Sequence, residues 1–130
     1  MKAKKRVLIV TDNAKPARDL ADSIAKAAPE GLVTIKSAAD FSGSDILPAD
    51  ICFFGCVTPR PSSFSHVEEV LFHINLAGRP CGLFSPDSQE ALDYLSGIVQ
   101  DSELAVIAPP FLSSSKGDVK VWAKNILRQR

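Results

Sequence analysis

Glycine is scarce in this chain, and it is missing where an α/β protein would use it most. Residues Thr11 to Ala17 read TDNAKPA between a hydrophobic run and an amphipathic stretch, and none of the 7 glycines among the 130 residues falls there. An excess of one charge is lacking too. The 15 Lys and Arg balance 15 Asp and Glu, so the chain has no electrostatic footprint for a polyanion such as nucleic acid. Lys2, Lys4, Lys5 and Arg6 near one end and Arg128 and Arg130 at the other are read as solvated ends. The cysteines are 3, Cys52, Cys56 and Cys81, an odd number without CxxC spacing. That pattern argues against a disulfide framework or a zinc site and fits reduced thiols. Long hydrophobic runs are absent as well: the first, Val7 to Val10, stops at Thr11-Asp12-Asn13, too short for a membrane span or a signal-peptide core. The expectation is a cytoplasmic protein without membrane or nucleic-acid partners. No repeat or low-complexity tract occurs.

What is present is a 45% apolar composition, enough for a core without metals or disulfides, and a length suited to one domain over residues 1–130. Five short runs rich in β-branched or aromatic residues read as strands: Val7–Val10, Leu32–Ile35, Ile51–Phe54, Cys81–Phe84 and Leu104–Ile107. They are continuous more than alternating, as in parallel strands covered on both faces. Between them, Ala17, Leu20, Ala21, Ile24 and Ala28 make one helical stripe. Val67, Val70, Leu71 and Ile74 make a second, Leu92, Leu95 and Val99 a third, and Val119, Trp122, Ala123 and Ile126 a fourth. Ser65 with Glu68, and Asp87 with Glu90, have the spacing of helix caps, and Pro16 suits a first helical turn. SAADFSGSDILPAD, between the second and third strands, is short and polar enough to predict one turn or a loop. The order predicts a doubly wound α/β three-layer sandwich with a five-stranded parallel sheet of order 2-1-3-4-5. Ligands of such sheets sit beyond the strand C-termini at the switch point between strands 1 and 3. Thr11–Ala17, Cys56–Phe64 and Ser85–Gln89 are the loops that line it.

Few residues offer chemistry outside those loops. His66 and His73 are two helical turns apart, about 10 Å along the axis, too far for one metal. The serine clusters read as turn and cap residues, and no Ser-His-Asp pattern can be assigned. Tyr94 falls inside a helical stretch and reads as a packed or half-exposed helix residue. Cys56 should face the cleft, where Arg60 or a helix terminus would lower its pKa, although a small semi-buried side chain is the simpler reading. Arg60, between Pro59 and Pro61, stands on a stiff loop at the rim, either as a solvated charge or to meet an anion or a partner.

The same loops carry a resemblance. ADICFFGC (Ala49 to Cys56) resembles the third strand of the short-chain flavodoxins, an acidic residue and an apolar run ending in glycine at the flavin edge. AGRPCGLFS (Ala77 to Ser85) resembles their fourth strand, and DLADSIAK and DVKVWAKNIL their first and closing helices. The likeness covers nearly the whole chain. It implies a flavodoxin-like fold, FMN as cofactor, electron transfer to a redox protein partner, no catalytic residue and no metal. The implied cofactor site consists of Thr11, Asp12, Asn13, Ala14, Lys15 and Ala17 near the phosphate. Cys56, Val57, Thr58 and Pro59 would lie beside the ring, and Ser85, Pro86, Asp87 and Ser88 along its edge.

The phosphate turn departs from that family's pattern. Flavodoxins hold the phosphate with Ser/Thr-x-Thr-Gly-x-Thr, whose backbone N–H groups and hydroxyls form a cage at a helix N-terminus. Those six positions fall on Asp12, Asn13, Ala14, Lys15, Pro16 and Ala17. Asp12 brings negative charge, Ala14 and Ala17 remove hydroxyls, Lys15 replaces the glycine and Pro16 deletes an N–H. Losing several charge-assisted hydrogen bonds at about 1.5–3 kcal/mol each weakens such a site by orders of magnitude. Ring-stacking aromatics are also displaced, since Phe64 comes late in its loop and SPDSQE has none. VTDN, DICFFGCVTP and APPF resemble a second family, the response-regulator receivers, but Gly55 stands at the phospho-acceptor position and Pro109 at the lysine position. Two readings therefore stand: an FMN-binding electron carrier with a degenerate phosphate loop, and a flavin-free or pseudo-receiver binding module without catalytic activity.

Overall fold

A computed structural model describes residues 5–28, 32–107, 109–113 and 118–128. Strand β1 (Arg6–Thr11) leads into helix α1 (Lys15–Lys26), and β2 (Leu32–Ser37) is followed by a 3₁₀ turn (Ala38–Asp40) and the four-residue α2 (Gly43–Ile46). Then come β3 (Ile51–Gly55), α3 (Phe64–Phe72), β4 (Pro80–Ser85), α4 (Gln89–Gln100), β5 (Ala105–Val106), β6 (Phe111–Leu112) and α5 (Val119–Leu127). The strands pair in parallel in the order β2-β1-β3-β4-β5, with β6 also on β4. This is the doubly wound order that the run of strands and helices predicts.

Successive side chains of a strand point to opposite faces, and here both faces are covered. Leu8, Val10, Cys52, Phe54, Cys81 and Leu83 pack with Phe64, Val67 and Leu71 of α3 and with the apolar side of α4. Val7, Ile9, Ile51, Phe53 and Phe84 pack on the other side with Ala21 and Ile24 of α1 and Ala123 and Ile126 of α5. Three layers result. Strand β2 is the exception: as the outer strand its burial is partial, and Leu32 and Ile35 are exposed. Two glycines permit the closest approaches. A Cβ on Gly82 would lie 2.7 Å from Ile126 Cδ1, and one on Gly55 would lie 2.1 Å from the Phe84 ring.

The fifth strand differs from the expected Leu104–Ile107. It is split into β5, which pairs with the start of β4 (Pro80, Cys81), and β6, which pairs with its end (Phe84, Ser85). Pro109 and Pro110 stand between them and have no N–H to give a ladder. Trp122 of α5 braces the break: its indole N–H donates to the Pro109 carbonyl at 2.7 Å. Its ring meets Phe53 at 5.6 Å and Phe111 at 5.5 Å between centroids, contacts worth about 0.5–1.5 kcal/mol each beyond their burial.

Two expected caps are also corrected. Helix α3 starts at Phe64, so Ser65 lies inside its first turn and donates to the Ser62 carbonyl, while Glu68 accepts from Tyr94. Helix α4 is capped by Ser88, whose Oγ accepts from Ala91 N, instead of by Asp87. A genuine capping box sits in the predicted turn region instead, where Ser42 and Asp45 satisfy each other's N–H groups at α2.

Candidate functional site

At the C-terminal ends of β1 and β3 the decisive side chain is Asp12. One carboxylate oxygen accepts from Val57 N at 2.8 Å, across the switch point, and the other accepts from Ala14 N at 3.2 Å. The β1–α1 turn is thereby tied to the β3–α3 loop by an internal anion. Thr11 is buried, faces Gly55 in the register, and its Oγ1 accepts from Asn13 N at 3.2 Å. The turn forces Asn13 to φ 68°, a left-handed conformation that Asn tolerates better than most residues. Ala14 is the N-cap residue of α1 and supplies no side-chain cap. Lys15 points to solvent and pairs with Asp19 at 2.9 Å. Ala17 is fully buried, on the core side of α1.

In the second loop Cys56 is fully buried. Its thiol is pushed up to about 12, by burial first and by the Asp12 carboxylate second. This agrees with the simpler reading of a small buried side chain and goes against a lowering by Arg60 or a helix terminus: desolvation disfavours the thiolate, and the near charge is negative. Val57 is half-buried, and Thr58 and Pro59 are exposed. Phe64, the one aromatic available to this loop, is buried edge-on against Tyr94 at 6.2 Å. In the third loop Ser85 is buried and its Oγ accepts from Ser88 N at 3.3 Å, so both serine hydroxyls serve the α4 start. Pro86 is half-buried and Asp87 exposed.

A cluster that the sequence did not announce borders this cleft. Tyr94 of α4 donates its hydroxyl to Glu68 of α3 at 2.6 Å, and the Arg60 guanidinium lies 5.9 Å from the Tyr94 ring centroid. The Tyr94 hydroxyl is pushed above its ordinary range by burial and by the bond to Glu68. The only sequence signal was Arg60 between two prolines. His66 and His73 are exposed on or beside α3. Among the described residues no three His, Cys, Asp or Glu side chains come together to hold a metal ion, and no helix is long and apolar enough to cross a membrane.

The sequence matches no protein-family model and no curated protein. Solved structures do match. The oxidised flavodoxin 1 of Bacillus cereus superposes with a TM-score of 0.81 at 17% identity, covering 98% of this chain and 99% of its own. The Streptococcus pneumoniae TIGR4 flavodoxin gives 0.73 at 17% identity, with 93% of each chain covered. A Fusobacterium nucleatum flavodoxin bound to flavin mononucleotide gives 0.70 at 11% identity, over 96% of this chain and 95% of that one. The fold is that of the flavodoxins.

The flavodoxin fold implies FMN, and the residues at this switch point do not fit its phosphate as a flavodoxin turn would hold it. The N–H groups of Ala14 and Val57 are already given to Asp12, and Pro16 has none to give. A phosphate brought to the same donors would face the Asp12 carboxylate, at about 4 kcal/mol per pair of unit charges 4 Å apart in a partly exposed site. The ring position fares no better, since Thr58 and Pro59 offer no flat partner there and Phe64 is committed to the core.

Proposed function

We propose that this chain is a flavodoxin-like binding module whose cleft takes no flavin and carries out no catalysis. The observation that supports it is the Asp12 carboxylate, which accepts hydrogen bonds from both loops of the switch point and so supplies from within the chain the anion that a flavodoxin takes from FMN. Such a module acts through the surface of its loops. Its partners are then proteins or small ligands that bind the rim of the cleft, in a setting where the buried cysteines stay reduced. The test is the visible absorption spectrum of the protein purified from its own expressing cells. A colourless protein is expected; flavin bands that survive gel filtration overturn the reading.

A second reading is favoured by the fold likeness to a flavodoxin bound to flavin mononucleotide: an electron carrier with a divergent FMN site, serving a redox protein partner. In that reading Asn13 and Lys15 approach the phosphate, Thr58 and Pro59 flank the ring and Ser85 to Ser88 follow its edge. Lys15→Glu then weakens FMN binding by tenfold or more, the scale of one charge-assisted contact of about 1.5 kcal/mol. Equal affinity in the variant removes Lys15 from the site.

A further inference from the structure

Arg60 is held where a solvated surface charge would not need to be. Its φ is 53°, a left-handed backbone that a non-glycine residue adopts only when its surroundings impose it. Pro59 and Pro61 restrict the chain on both sides, and the guanidinium carbon lies over the Tyr94 ring, 5.9 Å from its centroid, within cation–π range. That ring is itself fixed, at one end by its hydroxyl bond to Glu68 and on its flank by the buried Phe64. A cation–π contact uses the charge of the guanidinium and consumes none of its N–H groups, which form a planar fork of donors. Among the described residues the ion pairs are Lys15–Asp19 and Lys36–Asp45, and Arg60 belongs to neither.

We propose that Arg60, held on Tyr94, anchors a carboxylate from an acidic segment of a partner protein at the mouth of the switch-point cleft. The chemistry follows from the fork, which a carboxylate matches with two parallel hydrogen bonds. Thr58 and Ser62 place exposed hydroxyls on the same loop, as further donors to an acidic chain. The loop is also an open ridge, with Thr58, Pro59, Arg60 and Ser62 all exposed. That shape suits an extended segment better than a small molecule that needs enclosure. The partner named here rests on the binding-module reading above.

The test is an NMR titration of the ¹⁵N-labelled full chain with a short acetylated Glu-Gly peptide at low salt, with a Gln-Gly peptide as control. Saturable shifts of the Arg60 Nε–H and of the Tyr94 ring with the acidic peptide alone are expected. Arg60→Ala should weaken binding about tenfold and Arg60→Lys several-fold, because a lysine keeps the charge and loses the fork. Tyr94→Leu should weaken it by removing the platform, and Arg18→Ala, an exposed arginine on α1, should not. The amide spectrum of each variant shows at once whether it is folded. Unshifted Arg60 signals, equal affinity in Arg60→Ala, or inorganic phosphate shifting Arg60 at lower concentration than the peptide would each overturn the proposal. FMN added to the same sample keeps the two ideas apart: shifts of the Ala14 and Val57 amides would refute the flavin-free reading, whatever Arg60 does.

Discussion

Removing the Asp12 carboxylate leaves two backbone N–H groups, those of Ala14 and Val57, without their acceptor. Asp12→Ala should therefore destabilise the protein by about 2 kcal/mol, the range of hydrogen bonds to charged acceptors in a half-buried site. Asp12→Asn should cost less, because its one carbonyl oxygen still accepts from one of the two loops. Urea denaturation of the three proteins checks both values; a loss under about 0.5 kcal/mol for Asp12→Ala would mean that water replaces the carboxylate at no cost. By contrast the exposed Lys15–Asp19 pair should contribute under about 0.5 kcal/mol. Cys56 makes a prediction in pH. Its folded thiol holds its proton up to about 12, above the unfolded value of about 8.5. The stability it contributes is therefore full below the unfolded value and is lost as pH rises through that window. The urea midpoint should fall as pH rises from about 8.5 toward about 12, and less steeply in Cys56→Ala. Ellman's reagent should leave the thiol unmodified at about pH 8 until the chain unfolds.

Among the elements, α4 and the β3–β4 pair are the most exposed to single changes. Ser88→Ala removes the one side-chain cap of α4 and should cost about 1 kcal/mol, whereas Asp87→Ala, at the position first read as the cap, should cost far less. Gly55→Ala sets a methyl 2.1 Å from the ring of Phe84, which is fully buried. It should destabilise by about 1–3 kcal/mol or prevent folding, whereas calorimetry of Gly97→Ala in α4, where nothing lies within 4 Å of the added Cβ, should show no loss of stability. These contrasts also show what was legible in the chain. Strands β1, β3 and β4 and helices α1, α4 and α5 were readable because burial on a two-sided sheet demands continuous apolar runs, and burial on one face demands a stripe. The cap at Ser88 and the start of α3 at Phe64 were not, since several hydroxyl or acidic residues stand together at each helix start and only the backbone geometry chooses among them. The last strand was read only as Leu104–Ile107; its resumption beyond Pro109-Pro110 as β6 depends on β4 offering Phe84 and Ser85 as partners.

For the molecule as a whole, the order of strands and helices placed the cleft, and the composition of TDNAKPA showed that its phosphate pattern is gone. What no spacing rule could reveal is the replacement. Asp12 and Val57 are 45 residues apart, and their contact exists only once β1 and β3 lie side by side. The Arg60–Tyr94–Glu68 cluster is of the same kind, assembled from a loop, α4 and α3. The proposed function rests on that separation of levels: the sheet keeps the switch point of the flavodoxin fold, and Asp12 takes the N–H groups of Ala14 and Val57 there. The measurement that tests this most directly is a titration of FMN fluorescence with the purified protein. The account predicts fluorescence unchanged up to protein concentrations near a millimolar, where even a contact of about −4 kcal/mol would register. Saturable quenching at micromolar concentration would contradict it, and would mean that Asp12 yields its two N–H groups to the flavin phosphate.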